Sequence, residues 1–405
     1  MTSTPSGNPF PKLATASIAA NFSDQMMLAL LPLVLVAAGA DAKTVSLVVA
    51  AHAAAWLVIS MPAGAYADAI SRRTIMTLGA CTVLAGSVLG GAALATGVVV
   101  PWVLALAAFA IASGVVMLIL SVFALVPKSI AATRLSTANA ALEFGRATVA
   151  VASPVIAAAL VTRQLGSIGF GLAFAGGLVA LIAARLLPEE PPQPGSGVSL
   201  IASIRDGAAF VMQQPILRAI ALCAIAWNSA FFALTAVFAP YASQQLGMSI
   251  DEIGRAWSVY GIGLLLGSLA ASPMIARLPT GFMFIFGPAT SCVAVLAMVL
   301  GAHRGVTWPV LAAMFGLGFG PMTWLVLQTS VRQIVTPNAL LGRVGATITT
   351  TVYGVRPIGA LLAGQIAAAF GSGAALWFSA GLFVLSCVFL VMSPAARLKA
   401  MPGVA

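Results

Sequence analysis

Nine carboxylates stand in 405 residues, and seven of them read as loop or surface positions: Asp41, Asp68, Glu189, Glu190, Asp206, Asp251 and Glu252. The other two, Asp24 and Glu143, lie inside long apolar runs, where a charge is costly and must face protein or water. Asp24 belongs to the cluster Asn21, Ser23, Asp24 and Gln25, with no basic residue near it in sequence. Burial disfavours the charged form of a carboxylate, so such a group can load and release a proton as its access to water alternates. The alternative is a structural carboxylate held by Asn21, Gln25 or Arg356. Glu143 stands three residues before Arg146, within pairing distance on a helix, and a fixed ion pair is its expected role. Arg356 is also mid-run, so it is expected to face Asp24, the second apolar segment or a central cavity. His52, in the outer part of the second run, can titrate, although a packed neutral imidazole is the commoner outcome.

The elements that must position these groups are membrane spans. The chain is 61% hydrophobic and 7% charged, with a mean hydropathy of +1.07, too little polar surface to cover a soluble globule. A helical span needs roughly 20 apolar residues, and about a dozen such stretches follow one another. The expectation is an all-α membrane protein of twelve transmembrane helices in two sets of six. The net charge of +10 could suggest nucleic acid, but its placement points elsewhere. With the amino terminus inside, thirteen of the nineteen Lys and Arg fall on the inner side, including Arg72, Arg73 and Arg343, and only Lys43, Arg163, Arg255 and Arg304 fall opposite. That bias predicts both termini in the cytoplasm and no nucleic-acid partner.

The Pro- and Gly-rich stretch from Pro188 to Gly197 divides the chain. We read residues 1–187 as one six-helix bundle, 188–215 as a cytoplasmic linker with an amphipathic helix from Ser199 to Gln213, and 216–405 as a second bundle. The halves echo each other: Asn21 precedes Pro32 by eleven positions as Asn228 precedes Pro240 by twelve, and Ser153-Pro154 returns as Arg356-Pro357. Cys81, Cys223, Cys292 and Cys387 sit in apolar runs without metal-ligand spacing, so reduced thiols and no metal or cofactor are expected. The first twelve residues lack the pattern of a cleaved signal peptide, so the first span is expected to direct insertion. Two histidines and scattered acids form no catalytic cluster, which argues against an enzyme, and no polar ring suggests a passive channel.

The run Gly64-Ala-Tyr-Ala-Asp68-Ala-Ile-Ser-Arg72-Arg73, after the second span, resembles the signature loop between helices two and three of the major facilitator superfamily of secondary transporters, with Ser71 in place of the usual glycine. The segment Ser153-Pro154-Val-Ile-Ala157-Ala158 is similar to the Gly-Pro motif on helix five of the superfamily's antiporters, with its glycines replaced. The runs Pro127 to Leu142 and Gln328 to Val344 resemble the branch of bacterial siderophore, macrolide and drug exporters.

The resemblance implies two pseudo-symmetric six-helix bundles that alternate access to a central cavity lined by helices one, four, seven and ten. Asn21, Gln25, Trp227, Asn228, Phe231, Thr323, Trp324 and Gln328 would then contact substrate, and amides beside aromatic faces suit an amphipathic small molecule. Gly64, Asp68, Arg72, Arg73, Gly342 and Arg343 would form the inner gate, with Asp68 meeting the start of helix eleven. The expected protein is a monomeric, proton-coupled exporter in the bacterial inner membrane, in contact with lipids. The other reading is a lysophospholipid or other lipid transporter whose substrate enters sideways.

Overall fold

The computed structural model describes residues 9–131, 134–188, 200–302, 305–337 and 340–401, with the backbone alone for 60–69, 135–136 and 200–204. Six long helices come first: α1 (Phe10–Ala37), α2 (Ala42–Ala69), α3 (Arg72–Ala95), α4 (Pro101–Ser129), α5 (Leu135–Thr162) and α6 (Gly166–Arg185). The shorter α7 (Leu200–Gln213) follows. Then come α8 (Pro215–Gln244), α9 (Ile250–Arg277), α10 (Thr280–Gly301), α11 (Trp308–Val335), α12 (Leu341–Phe370) and α13 (Ser372–Val391), with a final 3₁₀ turn at Pro394–Arg397. Twelve helices, all but α7, are long and apolar enough to cross a membrane. At 1.5 Å per residue the 28 residues of α1 extend roughly 42 Å, beyond a hydrocarbon layer of about 30 Å.

The chain forms two compact units. The first comprises Met1–Val34 and Ala51–Gly197, and the second Leu35–Ala50 and Val198–Ala405. The division therefore takes the end of α1 and the first turns of α2 out of the amino-terminal bundle expected over 1–187.

In the first unit α3 packs on α4 and α6. Gly79 and Gly114 let α3 and α4 touch through backbone, because a Cβ on either would collide with the other's carbonyl oxygen. Lys12 donates to Leu186 O over 2.8 Å and so caps the carboxyl end of α6. At the loop expected between the second and third spans, Ser71 accepts from Thr74 N over 3.2 Å and starts α3. Arg72 and Arg73 consequently lie in the first turn of α3 rather than in a loop, and the serine that replaces the usual glycine acts as a cap.

In the second unit α9 packs on α11, and α8 lies against both α12 and α13. The amphipathic α7 docks on α12: Val211 packs with Leu217, Val344 and Ile348, and Asp206 Oδ2 meets Arg343 Nη1 at 3.0 Å.

One hydrogen bond occurs in both units with its direction reversed. Ser23 Oγ on α1 donates to Ala173 O on α6 over 2.9 Å. Ser379 Oγ on α13 donates to Ala230 O on α8 over 2.8 Å. Ala230 lies 207 positions after Ser23 (230 minus 23), and Ser379 lies 206 after Ala173 (379 minus 173). The sequence duplication is thus also a duplication of helix pairing.

Candidate functional site

Helical spacing puts Ser17, Asn21 and Asp24 on one face of α1, four and then three residues apart, and all three are buried. Asn21 bonds back to Ser17 O over 2.8 Å, which uses its amide locally and leaves Asp24 to another helix. The partner is His52 on α2, whose Nε2 lies 3.1 Å from Asp24 Oδ1. The side chains retain only 11% and 4% of their exposure. The distance is that of an ion pair, but Asp24 Oδ1 and both imidazole nitrogens make no well-aligned hydrogen bond among the described residues. Gln25, the next residue on α1, is half-buried. On α5, Arg146 holds Glu143 Oε2 through Nη2 at 2.7 Å and Nε at 2.8 Å, a closed pair partly open to the surroundings.

The second unit carries rings at the matching positions. Phe231 is 207 positions after Asp24 (231 minus 24), and Trp257 and Tyr260 are 205 and 208 after His52 (257 and 260 minus 52). Phe231 meets Trp257 edge-on at 6.2 Å and Tyr260 at 5.3 Å, and Trp227 stacks on Phe231 at 5.1 Å with the planes 8° apart. Trp227 Nε1 donates to Ser291 Oγ over 2.9 Å, which fixes its ring. Arg356 donates from Nε to Asn228 Oδ1 over 3.0 Å, and its guanidinium lies over Tyr353 at 4.4 Å and Phe232 at 5.0 Å. Among its described contacts, the arginine expected near Asp24 is therefore held inside the second unit by an amide and two rings. Trp227, Trp257, Tyr260, Tyr353 and Arg356 all remain half-buried, so an arranged aromatic and cationic face is open to a ligand.

On α11 the expected set divides. Thr323 is fully buried and bonds its own helix at Gly320 O. Trp324 belongs to a packed cluster with Ile220, Cys223 and Phe284, seated over Gly287 where a Cβ would collide with it. Gln328 is 5% exposed and donates to Thr329 Oγ1, while its own carbonyl oxygen has no partner among the described residues. Of the gate set, Gly64 and the side chain of Asp68 fall where the backbone alone is described. Gly342 stands in the first turn of α12 with open space beside it, and Arg343 is engaged by Asp206. Sequence reasoning missed Trp257, Tyr260, Phe232 and Tyr353. For three of them the signal available was the repeat itself, because shifting Asp24 by one repeat lands beside Phe232 and shifting His52 lands near Trp257 and Tyr260, whereas Tyr353 is not reached from either. Among the described residues no cluster of His, Cys, Asp or Glu could hold a metal ion.

The fold has close counterparts among solved structures. A POT family transporter in complex with 5-aminolevulinic acid superposes with a TM-score of 0.77 at 15% identity, covering 95% of this chain and 96% of that one. The nucleoside transporter NupG superposes with a TM-score of 0.75 at 12% identity, covering 95% of this chain and 100% of that one. Twelve apolar helices in this arrangement give the chain the same multi-pass membrane fold as those transporters. Residues 6–402 match the model of one family, transmembrane secretion effectors, and the chain belongs to it. Among individual proteins it is similar to the enterobactin exporter EntS of Shigella boydii and of Escherichia coli, 26% identical over 250 residues in each case. Those matches cover 60% of this chain and 57% of the relatives' length.

Proposed function

We propose that the protein exports an amphipathic, ring-bearing small molecule across the bacterial inner membrane by alternating access, driven by protons that enter through the Asp24 and His52 pair. That buried contact carries the reading. A pair kept only for packing would complete its hydrogen bonds, because a half-satisfied polar contact in an apolar interior destabilises the fold. The second unit fills the corresponding positions with Phe231, Trp257 and Tyr260, so the fold does not need a carboxylate and an imidazole there. At 3.1 Å one proton can pass between Oδ1 and Nε2, and alternating access would then let it arrive from one side and leave to the other.

The ring face of the second unit supports the substrate class, with Trp227, Phe231 and Tyr260 for stacking and Arg356 beside them for a polar or anionic group. Asn228 adds an amide beside them on α8, bonded to Arg356. The names of the EntS relatives support outward transport, and the charge bias supports cytoplasmic termini. Accumulation of a fluorescent aromatic substrate in inside-out vesicles tests the proposal. Uptake that starts with an imposed proton gradient and stops with an uncoupler is the expected result. Uptake indifferent to the uncoupler would instead favour the lysophospholipid reading.

A further inference from the structure

A groove of about 760 Å³ runs along α10 and the first half of α11, lined by none of the residues of the ring face. Phe286, Ala289, Val293 and Ala297 of α10 line it together with Trp308 and Ala312 of α11. From Phe282 to Gly301 it follows α10 for 19 rises, roughly 29 Å, close to the hydrocarbon thickness of a bilayer of about 30 Å. Its one hydroxyl, on Thr290, is already satisfied by Gly287 O at 2.7 Å, and along α10 the lining is otherwise apolar.

The Phe282 end continues into a basic surface. Gly281 N donates to Leu398 O over 2.7 Å, and a Cβ on Gly281 would collide with the Ala396 carbonyl, so the carboxy-terminal segment is stitched to the first turn of α10. That bond joins the residue between Arg397 and Lys399 to the residue before Phe282, and Arg277 closes α9 three residues before α10 begins. All three cations are exposed, and residues 272–282 and 393–401 contain no carboxylate.

We propose that this end of the groove binds an anionic phospholipid, with its phosphate among Arg277, Arg397 and Lys399 and an acyl chain laid over Phe282, Phe286 and Ala289. Basic residues at a membrane surface attract anionic headgroups, and an apolar trough below them receives the chain. Neutral phospholipid satisfies the trough but not the cations. A second copy of the protein would have to bring a carboxylate to this end.

The test is native mass spectrometry of the full chain released from mixed phosphatidylglycerol and phosphatidylcholine bilayers, read as retained lipid per protein. The expected result is one preferentially retained phosphatidylglycerol. Its retention should fall at least about tenfold in the triple variant Arg277→Gln, Arg397→Gln, Lys399→Gln and also in Ala289→Trp, which fills the trough. Thermal unfolding of both variants in phosphatidylcholine should match the parent, showing that the loss is of lipid and not of fold. Equal retention of the two lipids by the parent, or undiminished phosphatidylglycerol in either variant, would overturn the proposal. So would a dimer that Ala289→Trp dissolves, which would assign the trough to a second copy.

Discussion

At the scale of single residues, the buried Asp24 and His52 pair differs from the half-exposed Glu143 and Arg146 pair. Asp24→Asn should abolish proton-driven export while the protein still inserts, and His52→Gln should reduce it. Glu143→Gln should leave coupling intact, since its partner Arg146 already holds it and a half-exposed pair contributes about 0–1 kcal/mol. Vesicle uptake under a fixed proton gradient separates the three. Arg356→Lys keeps the charge but loses the planar group set over Tyr353 and Phe232 and bonded to Asn228. A loss of about 1.4 kcal/mol, or tenfold in apparent affinity, is expected in substrate titrations. The sequence alone marked Asp24, Glu143 and Arg356 as costly inside a membrane and His52 as able to titrate, because that depends only on residue type and place in an apolar run. It did not pair Asp24 with His52. Asn21, the expected lock, had a nearer acceptor in Ser17 O, and which of several polar residues meet is decided by helix rotation, which hydropathy does not record.

At the scale of elements, α2 and α7 offer clean tests. Thr44, first through its side chain and then through its backbone N–H, holds the Asp41 carboxyl below its ordinary range at the start of α2. A depressed carboxyl stabilises the folded state above its unfolded value and loses that contribution as pH falls through the folded one. Thermal melts should therefore show Asp41→Ala costing about 1 kcal/mol at neutral pH and progressively less below roughly pH 4. For α7, a Cβ on Gly207 would collide with the Arg343 carbonyl and the Thr347 hydroxyl. Gly207→Val should thus lift α7 from α12 and expose it to limited proteolysis, more than Asp206→Asn, which removes only partly exposed ion pairs, to Arg343 and Arg205. The amphipathic spacing of Leu200 to Gln213 made this helix legible in advance. Its docking on α12 was not, because Asp206 and Arg343 are 137 residues apart and each reads alone as a surface charge. In the same way Arg72 and Arg73 read as a loop until Ser71 was seen capping α3.

At the scale of the whole molecule, the twelve spans and the duplication were plain in the sequence, since both rest on long patterns. What the duplication hid was the difference between its copies. One face of the repeat carries Asp24 against His52 in the first unit and Phe231 against Trp257 and Tyr260 in the second, so one framework holds a buried polar pair in one copy and a ring cluster in the other. The gate proposed at Asp68 acts at this scale as well: Asp68→Asn should cut transport severalfold with normal membrane levels, read by vesicle uptake alongside immunoblotting. The central claim is that proton movement through the Asp24 and His52 pair drives export, and its most direct test is proton flux in proteoliposomes of purified protein. Adding substrate should evoke proton movement opposite to substrate in the parent and none in Asp24→Asn that still binds substrate. Equal proton flux in the two proteins would contradict it.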